Sequence, residues 1–181
     1  MKKNLSALSS VLVILLASTL IYFFDLPVDS LINDNLTKPE NYEVVSVTDG
    51  DTIKVQIDDD IETVRIVNMN TPESVDPRKP VECLGKEASE KMKELVLGKV
   101  VTLEFDETQT DKDRYGRLLR FVFLDDGTDI GLEMIKLGYA HSTPYGNTPH
   151  KYLELYTQAE LAAKTSQLGL WNSEICENLF E

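Results

Sequence analysis

Apolar and polar residues alternate in five short stretches of the chain, and each stretch predicts a β-strand. The first two stretches flank Asp49-Gly50, a residue pair that is typical of a tight hairpin turn. The alternating apolar residues are Val45 and Val47; Ile53, Val55 and Ile57; Val64 and Ile66; Val101, Leu103 and Phe105; and Leu119, Phe121 and Phe123. Five short strands separated by turns indicate a small barrel that is closed or nearly closed.

Three further stretches have the spacing of helices. The first lies between the third and fourth strands and ends at Gly98, and the second has Asp129 as its cap and ends at Gly138. The third follows Thr148-Pro149, a cap with proline in the first helical position. The apolar positions of the first and third helices are Ala88, Met92, Leu95 and Val96, and Tyr152, Tyr156, Ala159 and Ala163. Helices inserted among and after short strands define an α+β fold class.

The amino-terminal stretch from Asn4 to Phe24 is uncharged and follows Lys2 and Lys3. As a helix it would span about 31 Å, which matches the hydrocarbon thickness of a membrane. The positive charges keep the first residues in the cytoplasm and send the rest across. Because no Ala-x-Ala site follows, an uncleaved signal anchor and a cleaved signal peptide both stay open, with a buried core helix as a third alternative. In the first two cases residues 30–181 lie outside the cytoplasm, held at the cell membrane or secreted.

The composition of the chain excludes several classes of function but adds little to the predicted fold. Hydrophobic residues make up 42% and charged residues 27%, a balance that is typical of globular rather than disordered chains. The formal net charge of −13 disfavours non-specific binding of long nucleic acid, because that binding mode depends on positive side chains that neutralise phosphates. The spacing of the two cysteines and two histidines fits no zinc pattern. In an oxidising compartment Cys83 and Cys176 can form a disulfide, and two unpaired thiols are the alternative.

Three polar clusters at predicted strand ends contain the candidate chemistry. They are Asp49-Gly50-Asp51-Thr52, Asn70-Thr71-Pro72-Glu73 with Arg65 shortly before it, and Asp113-Arg114-Tyr115-Gly116-Arg117. Each cluster alone is more typical of a turn or a solvated loop than of a site. Together they favour a site, because strand ends on one face of a barrel can converge. Phosphodiester hydrolysis needs a hard cation, positive groups on the phosphate and a group that activates water, and these clusters contain such groups.

The motifs around these clusters occur in the same order in a known family. The matching motifs are Val47-Thr48-Asp49-Gly50-Asp51-Thr52, Val64-Arg65-Ile66, Thr71-Pro72-Glu73, Gly85-Lys86-Glu87-Ala88, Asp113-Arg114-Tyr115-Gly116-Arg117, Gly138-Tyr139-Ala140 and Gly169-Leu170-Trp171. Through them the chain resembles the staphylococcal nuclease (thermonuclease) family over residues 42–172. The resemblance implies a five-stranded barrel of the oligonucleotide-binding (OB) type with three helices. It also implies calcium-dependent hydrolysis of phosphodiester bonds in DNA and RNA.

With this resemblance the chain divides into four parts. Residues 1–25 are the signal anchor or signal peptide, and residues 26–41 are a linker, since that stretch contains Pro, Asp and Asn without an apolar period. Residues 42–172 are the thermonuclease-like domain, and residues 173–181 are a C-terminal tail.

The resemblance implies roles for individual residues. Asp51 supplies a carboxylate and Thr71 a backbone carbonyl to calcium, a cation that prefers oxygen ligands. Glu73 corresponds to the general base, or to a carboxylate that orients water. The other correspondences are Arg65 and Arg117 with two phosphate-binding arginines, and Tyr115 and Tyr145 with tyrosines beside the nucleotide. A planar guanidinium can bind two phosphate oxygens at once, which lysine cannot do.

Asn70 departs from the family pattern, because well-known members have an aspartate directly before Thr-Pro-Glu. An asparagine oxygen can still bind calcium, but it adds no charge. We therefore expect Asn70 to be a weaker metal ligand, and calcium binding to be looser than with aspartate.

The sequence thus predicts a calcium-dependent endonuclease that acts outside the cytoplasm on DNA, RNA or both. We expect a monomer, attached to the membrane through its amino-terminal helix if that helix is not cleaved, and infer no protein partner. The alternative is a catalytically weak or inactive barrel that binds nucleic acid or peptide at the cell surface, which Asn70 favours. The joint presence of Asp51, Arg65, Glu73 and Arg117 favours the enzyme. A structural role at the cell surface has only the amino-terminal stretch in its favour.

Overall fold

The five alternating stretches form a closed β-barrel in the computed structural model, which describes residues 40–74, 80–143 and 149–176. The strands are β1 (Asn41–Asp49), β2 (Thr52–Ile57), β3 (Asp60–Ile66), β4 (Met69–Asn70), β5 (Val100–Glu104), β6 (Leu118–Leu124) and β7 (His141–Ser142). Around the barrel the order is β1-β2-β3-β6-β5, and β5 pairs with β1 to close it. The predicted α+β class and the five-stranded OB-type barrel are confirmed.

The pairing of β3 with β6 is parallel, and it brings two parts of the predicted site together. Arg65 in β3 is in register with Leu119 in β6, two residues after Arg117. The short strands β4 and β7 form a separate two-stranded sheet in which Asn70 lies opposite His141. This small sheet was not predicted, because a strand of two residues has no alternation to detect.

Three α-helices pack around the barrel in the described part of the chain. They are α1 (Gly85–Val96), α2 (Ile130–Lys136) and α3 (Leu153–Thr165), and a 3₁₀ turn follows (Gly169–Trp171). The predicted cap of α2 is confirmed, since the Asp129 carboxylate accepts a hydrogen bond from the Leu132 amide at 3.1 Å. The Tyr156 hydroxyl of α3 donates to the same buried carboxylate at 2.9 Å. One capping side chain therefore also joins α2 to α3.

The predicted start of the last helix was wrong, because α3 begins at Leu153 and not at Pro149. Residues 150–153 form a turn instead, in which the Leu153 amide donates to the His150 carbonyl at 3.1 Å. The His150 ring is buried and packs near Phe121 and Tyr156, with ring centroids 5.7 and 5.3 Å away. Burying this ring against the barrel competes with an earlier helix start. Thr148, the predicted cap, lies outside the described residues.

Other predictions also fall outside the described residues. They concern the amino-terminal helix of residues 1–25, most of the linker of residues 26–41, the end of the tail after residue 176, and Tyr145. Within the described ranges, no helix has the length and apolar character needed to cross a membrane.

The end of α2 and the end of α3 meet where Gly138 and Gly169 bring two backbone segments into contact. Both glycines have positive φ, +76° at Gly138 and +52° at Gly169. The Leu170 amide donates to the Gly138 carbonyl at 2.8 Å, and Leu170 is almost completely buried. A Cβ atom on Gly138 would lie 2.3 Å from the Leu168 carbonyl oxygen, a distance that backbone atoms cannot accommodate without moving. This contact anchors the carboxyl-terminal segment of the domain.

Replacing Gly138 with alanine should therefore destabilise the protein strongly. We expect a loss of about 3 kcal/mol or more in the free energy of unfolding, from the backbone clash added to the left-handed strain. Gly127→Ala is the matched control, since Gly127 has φ +83° but nothing within 4 Å of an added Cβ. The control should lose about 1 kcal/mol from strain alone. Urea unfolding followed by circular dichroism measures both, and equal losses would contradict the interpretation.

Candidate functional site

An open cleft of about 840 Å³ lies where three parts of the barrel meet. These parts are the turn between β1 and β2, the segment after β4, and the segment before β6. Seven of the predicted site residues line the cleft, namely Asp51, Arg65, Asn70, Thr71, Glu73, Tyr115 and Arg117. The structure thus brings the three polar clusters together in one place. The chemical roles assigned to these residues stay predictions.

Arg65 is at the centre of the cleft wall and is 8% exposed. Its Nη2 atom lies 2.9 Å from Asp51 Oδ2 and donates to Asn70 Oδ1 at 3.0 Å. Its Nη1 atom donates to the carbonyl oxygens of Ile66 and of Met69, the latter at 2.9 Å. One guanidinium therefore holds the β1–β2 turn, the end of β3 and the strand β4 together.

Asp49 and Asp51 form a close pair of carboxylates at the β1–β2 turn. The Asp51 amide donates to Asp49 Oδ1 at 3.2 Å, and Asp51 itself accepts from the Thr52 hydroxyl at 2.9 Å. Burial, together with the negative charge of Asp51, raises the pKa of Asp49 to about 6. The sequence contained a signal for this pair in its Asp-Gly-Asp spacing, but not for the raised pKa of the first aspartate.

Arg117 is oriented by Asp113, four residues before it. The Arg117 Nε atom donates to Asp113 Oδ2 at 2.7 Å, and its Nη1 atom donates to the Thr52 hydroxyl at 3.3 Å. Asp113 Oδ1 also accepts from the amides of Tyr115 and Arg117, at 2.8 and 3.0 Å. Burial opposes ionisation of Asp113, but these hydrogen bonds outweigh it and lower the pKa of the carboxyl. The sequence analysis did not predict this positioning role, because the motif that contains Asp113 does not show which groups its carboxylate contacts.

Tyr115 offers an exposed aromatic ring at the rim of the cleft. Its side chain is 68% exposed, and the guanidinium carbons of Arg114 and Arg117 lie 4.8 and 5.4 Å from the ring centroid. Both distances are within the range of cation–π attraction. An exposed ring beside two cations is an arrangement on which a nucleic acid base can stack while its phosphate is bound.

The oxygen-bearing residues that were predicted to hold calcium, namely Asp51, Asn70 and Thr71, lie together in the cleft. The described residues include no group of three or more His, Cys, Asp or Glu side chains arranged to hold a metal ion. The predicted ligand set does not need one, because it combines the Asp51 carboxylate with the amide oxygen of Asn70 and the carbonyl of Thr71. Burial, and after it the charge of Asp51, disfavours ionisation of Asp49, and a bound cation would favour it.

Both polar atoms of the Asn70 side-chain amide already form hydrogen bonds. Its Oδ1 atom accepts from Arg65, and its Nδ2 atom donates to the Thr71 carbonyl oxygen at 3.2 Å. The neutral N–H group of Asn70 thus occupies one face of the Thr71 carbonyl oxygen, a predicted ligand atom. An aspartate at this position would present an oxygen there instead.

A small OB-type barrel whose cleft combines arginines with carboxylates is the architecture of a nuclease of the staphylococcal type. The chain belongs to the staphylococcal nuclease family, since the family model described as "Staphylococcal nuclease homologue" matches residues 63–173. That range contains all the predicted cleft residues except Asp51, which precedes it together with Asp49.

Curated relatives agree with this membership. The chain is 39% identical over 132 residues to a thermonuclease of Staphylococcus intermedius, covering 73% of this chain and 76% of the relative. It is 37% identical over 135 residues to a thermonuclease of Staphylococcus hyicus, covering 74% and 77%. The SPbeta prophage-derived endonuclease YokF of Bacillus subtilis is 36% identical over 135 residues, or 72% of this chain. That alignment spans only 45% of the longer YokF protein.

Replacing Asp49 with asparagine should stabilise the protein, and more so at alkaline pH than at acid pH. Because folding raises the pKa of Asp49 from 3.8 to about 6, ionisation of this carboxylate costs folding free energy. The cost is absent below about pH 4, grows as pH rises from about 4 to about 6, and is constant above about pH 7. Asparagine keeps the Oδ1 acceptor for the Asp51 amide without the charge. We expect a gain of about 2 kcal/mol in the free energy of unfolding at alkaline pH and almost none in acid.

Chemical denaturation of both proteins at the two pH values, with a chelator present, measures this gain. Asp60→Asn is the control, because Asp60 is exposed at the start of β3. The control should change stability little at either pH. A gain of equal size at both pH values would contradict the role of the Asp49 charge.

Proposed function

We propose that this protein is a calcium-dependent endonuclease that hydrolyses phosphodiester bonds of DNA, RNA or both, outside the cytoplasm. One observation carries the proposal: Arg65 and Arg117 line the same cleft as Asp51 and Glu73. The names of its relatives, thermonuclease and endonuclease, support the reaction class.

The side chains of the cleft divide the chemistry between them. Arg65 and Arg117 bind the phosphate oxygens, where their charge stabilises the negative charge that develops as the P–O bond breaks. Glu73 accepts a proton from the attacking water or orients it. Tyr115 holds a base beside the scissile bond. Calcium, held by Asp51, Asn70 and Thr71, would act as a Lewis acid on the phosphate when bound.

The charge of the cleft supports a dependence on a divalent cation. Among the described residues that line it are four cationic side chains, Arg65, Lys112, Arg114 and Arg117. Against them stand five carboxylates, Asp49, Asp51, Glu73, Glu82 and Asp113. The formal charge of the cleft is therefore slightly negative, which opposes binding of a polyanion. One divalent cation reverses its sign, so the cation assists substrate binding as well as chemistry.

The location outside the cytoplasm rests on two features. The uncharged stretch after Lys2 and Lys3 has the length of a signal anchor or signal peptide. Cys83 and Cys176 form a disulfide with their Cα atoms 5.8 Å apart, and structural disulfides persist in oxidising compartments. Both features support export.

A binding-only barrel is the second candidate, and the hydrogen bond from Asn70 to the Thr71 carbonyl favours it. In a binding-only barrel, the side-chain amide of Asn70 would occupy the place of the cation beside the Thr71 carbonyl. The arginines would then bind nucleic acid without cleaving it. The two candidates differ in whether chelation of calcium abolishes cleavage.

A cleavage assay on DNA and RNA with calcium, and with a chelator in excess, tests the proposed activity. We expect cleavage with calcium only, and losses of about 100-fold or more for Glu73→Gln and for Arg117→Ala. Glu94→Gln is the control, because Glu94 is exposed on α1 and pairs only with Lys91 among the ion pairs of the described residues. It should cleave like the parent. Binding of oligonucleotide without any cleavage by the parent would establish the second candidate instead.

Replacing Asn70 with aspartate should tighten calcium binding. The substitution adds a charged oxygen beside the Thr71 carbonyl and keeps an acceptor for Arg65. We expect the calcium concentration for half-maximal activity to fall about tenfold, the equivalent of about 1.4 kcal/mol. Calcium titration of activity measures the change, with Glu94→Gln again as control. An unchanged or weaker apparent affinity would count against Asn70 as a ligand.

A further inference from the structure

The backbone at Glu73 is bound on both sides by one other residue. The Glu73 amide donates to Glu82 Oε2 at 2.9 Å, and the Glu82 amide donates to the Glu73 carbonyl oxygen, also at 2.9 Å. We call these two hydrogen bonds the Glu73–Glu82 pair. They hold the segment that carries Glu73, a residue that lines the cleft and whose Oε1 atom accepts a hydrogen bond from the Ser74 amide at 3.0 Å.

The chain next to this pair is packed closely. The Gly85 amide donates to the Glu82 carbonyl at 3.0 Å, which fixes the turn that leads into α1. A Cβ atom on Gly85 would lie 2.7 Å from the Glu73 carbonyl oxygen and 3.3 Å from that of Pro72. The start of α1 therefore lies directly against the backbone of Glu73.

The disulfide connects this segment to the far end of the domain. Cys83 follows Glu82 in the chain, and Cys176 lies 93 residues later. The Cys176 amide donates to the Asn172 carbonyl at 2.9 Å, directly after the 3₁₀ turn that Leu170 and Gly138 anchor. Cys176 is 4% exposed. A buried and hydrogen-bonded segment is thus bonded covalently to the residue beside Glu82.

We propose that Glu82 and the Cys83–Cys176 disulfide are positioning residues for Glu73. The disulfide fixes Glu82, and Glu82 fixes the backbone of Glu73, so that the Glu73 carboxylate keeps its place relative to Arg65 and Arg117. The proposal rests on the proposed function, in which Glu73 acts on water. It assigns the disulfide a part in catalysis, because small displacements of a catalytic group reduce rate strongly.

Three variants test the positioning role under conditions where all remain folded. In Cys83→Ala/Cys176→Ala and in Glu82→Ala we expect kcat to fall about tenfold with KM within about twofold, since the loss falls on the chemical step. Glu82→Gln should restore a rate close to that of the parent, because its side-chain oxygen still accepts from the Glu73 amide. Gly127→Ala is the control for general destabilisation and should keep the parent kcat.

A double-mutant cycle then identifies the residue that is positioned. When Glu73→Gln is already present, removing the disulfide should change single-turnover cleavage less than about twofold. When Arg117→Ala is present instead, the same removal should still cost about tenfold. A loss of equal size in both backgrounds would overturn a specific action on Glu73.

Amide hydrogen exchange provides a readout that needs no activity. Removal of the disulfide should speed exchange at the Glu73 and Glu82 amides by about tenfold or more, beyond any change at core amides such as Ile53. Unchanged exchange and unchanged kcat in the disulfide variant would overturn the proposal. If the parent cleaves nothing, or if Glu73→Gln equals the parent, the proposed function fails. Exchange then decides separately whether the disulfide holds the Glu73–Glu82 pair.

Discussion

The ion pair between Arg65 and Asp51 is the interaction on which the cleft depends. Both side chains are nearly buried, and the guanidinium also bonds Asn70 and two backbone carbonyls. Removing one partner of such a pair leaves an uncompensated buried charge, which costs about 3–5 kcal/mol. The residue proposed to bind phosphate is thus also the one that joins the β1–β2 turn to β3 and β4. Substitutions of Arg65 therefore change fold and chemistry together, whereas those of Arg117, at the half-exposed rim, separate them.

The same cleft also concentrates charges that oppose each other. Asp49 and Asp51 lie side by side, and burial prevents water from screening them fully. A protein selected only for stability would not keep this pair. Its presence agrees with a site that a cation completes, since functional sites commonly contain groups that reduce stability. Asp113 shows the opposite arrangement, because two amides and a guanidinium stabilise its charge.

Sequence patterns predicted the barrel because strands such as β2 bury alternate apolar side chains, as at Ile53 and Val55 with Lys54 exposed between them. They also placed the cleft residues correctly in one region, since strand ends converge in a closed barrel. What they missed depends on contacts between distant residues. The start of α3 depends on burial of His150, and β4 and β7 are too short to show a period. One bond of the Glu73–Glu82 pair joins a backbone amide to a side chain and the other joins two backbone groups, and no spacing of residue types reveals either.

Because β3 and β6 pair in parallel, the cleft can form only when the barrel has folded. The register of this pairing joins Arg65 to Leu119, so chain segments more than fifty residues apart must meet before the two arginines face one cavity. The entropy of closing so long a loop is recovered only when the whole barrel forms. A polypeptide threaded through a translocation channel in extended form therefore has no assembled cleft. If the enzyme is exported as proposed, the nucleic acids of the producing cell meet only a chain without hydrolytic capacity.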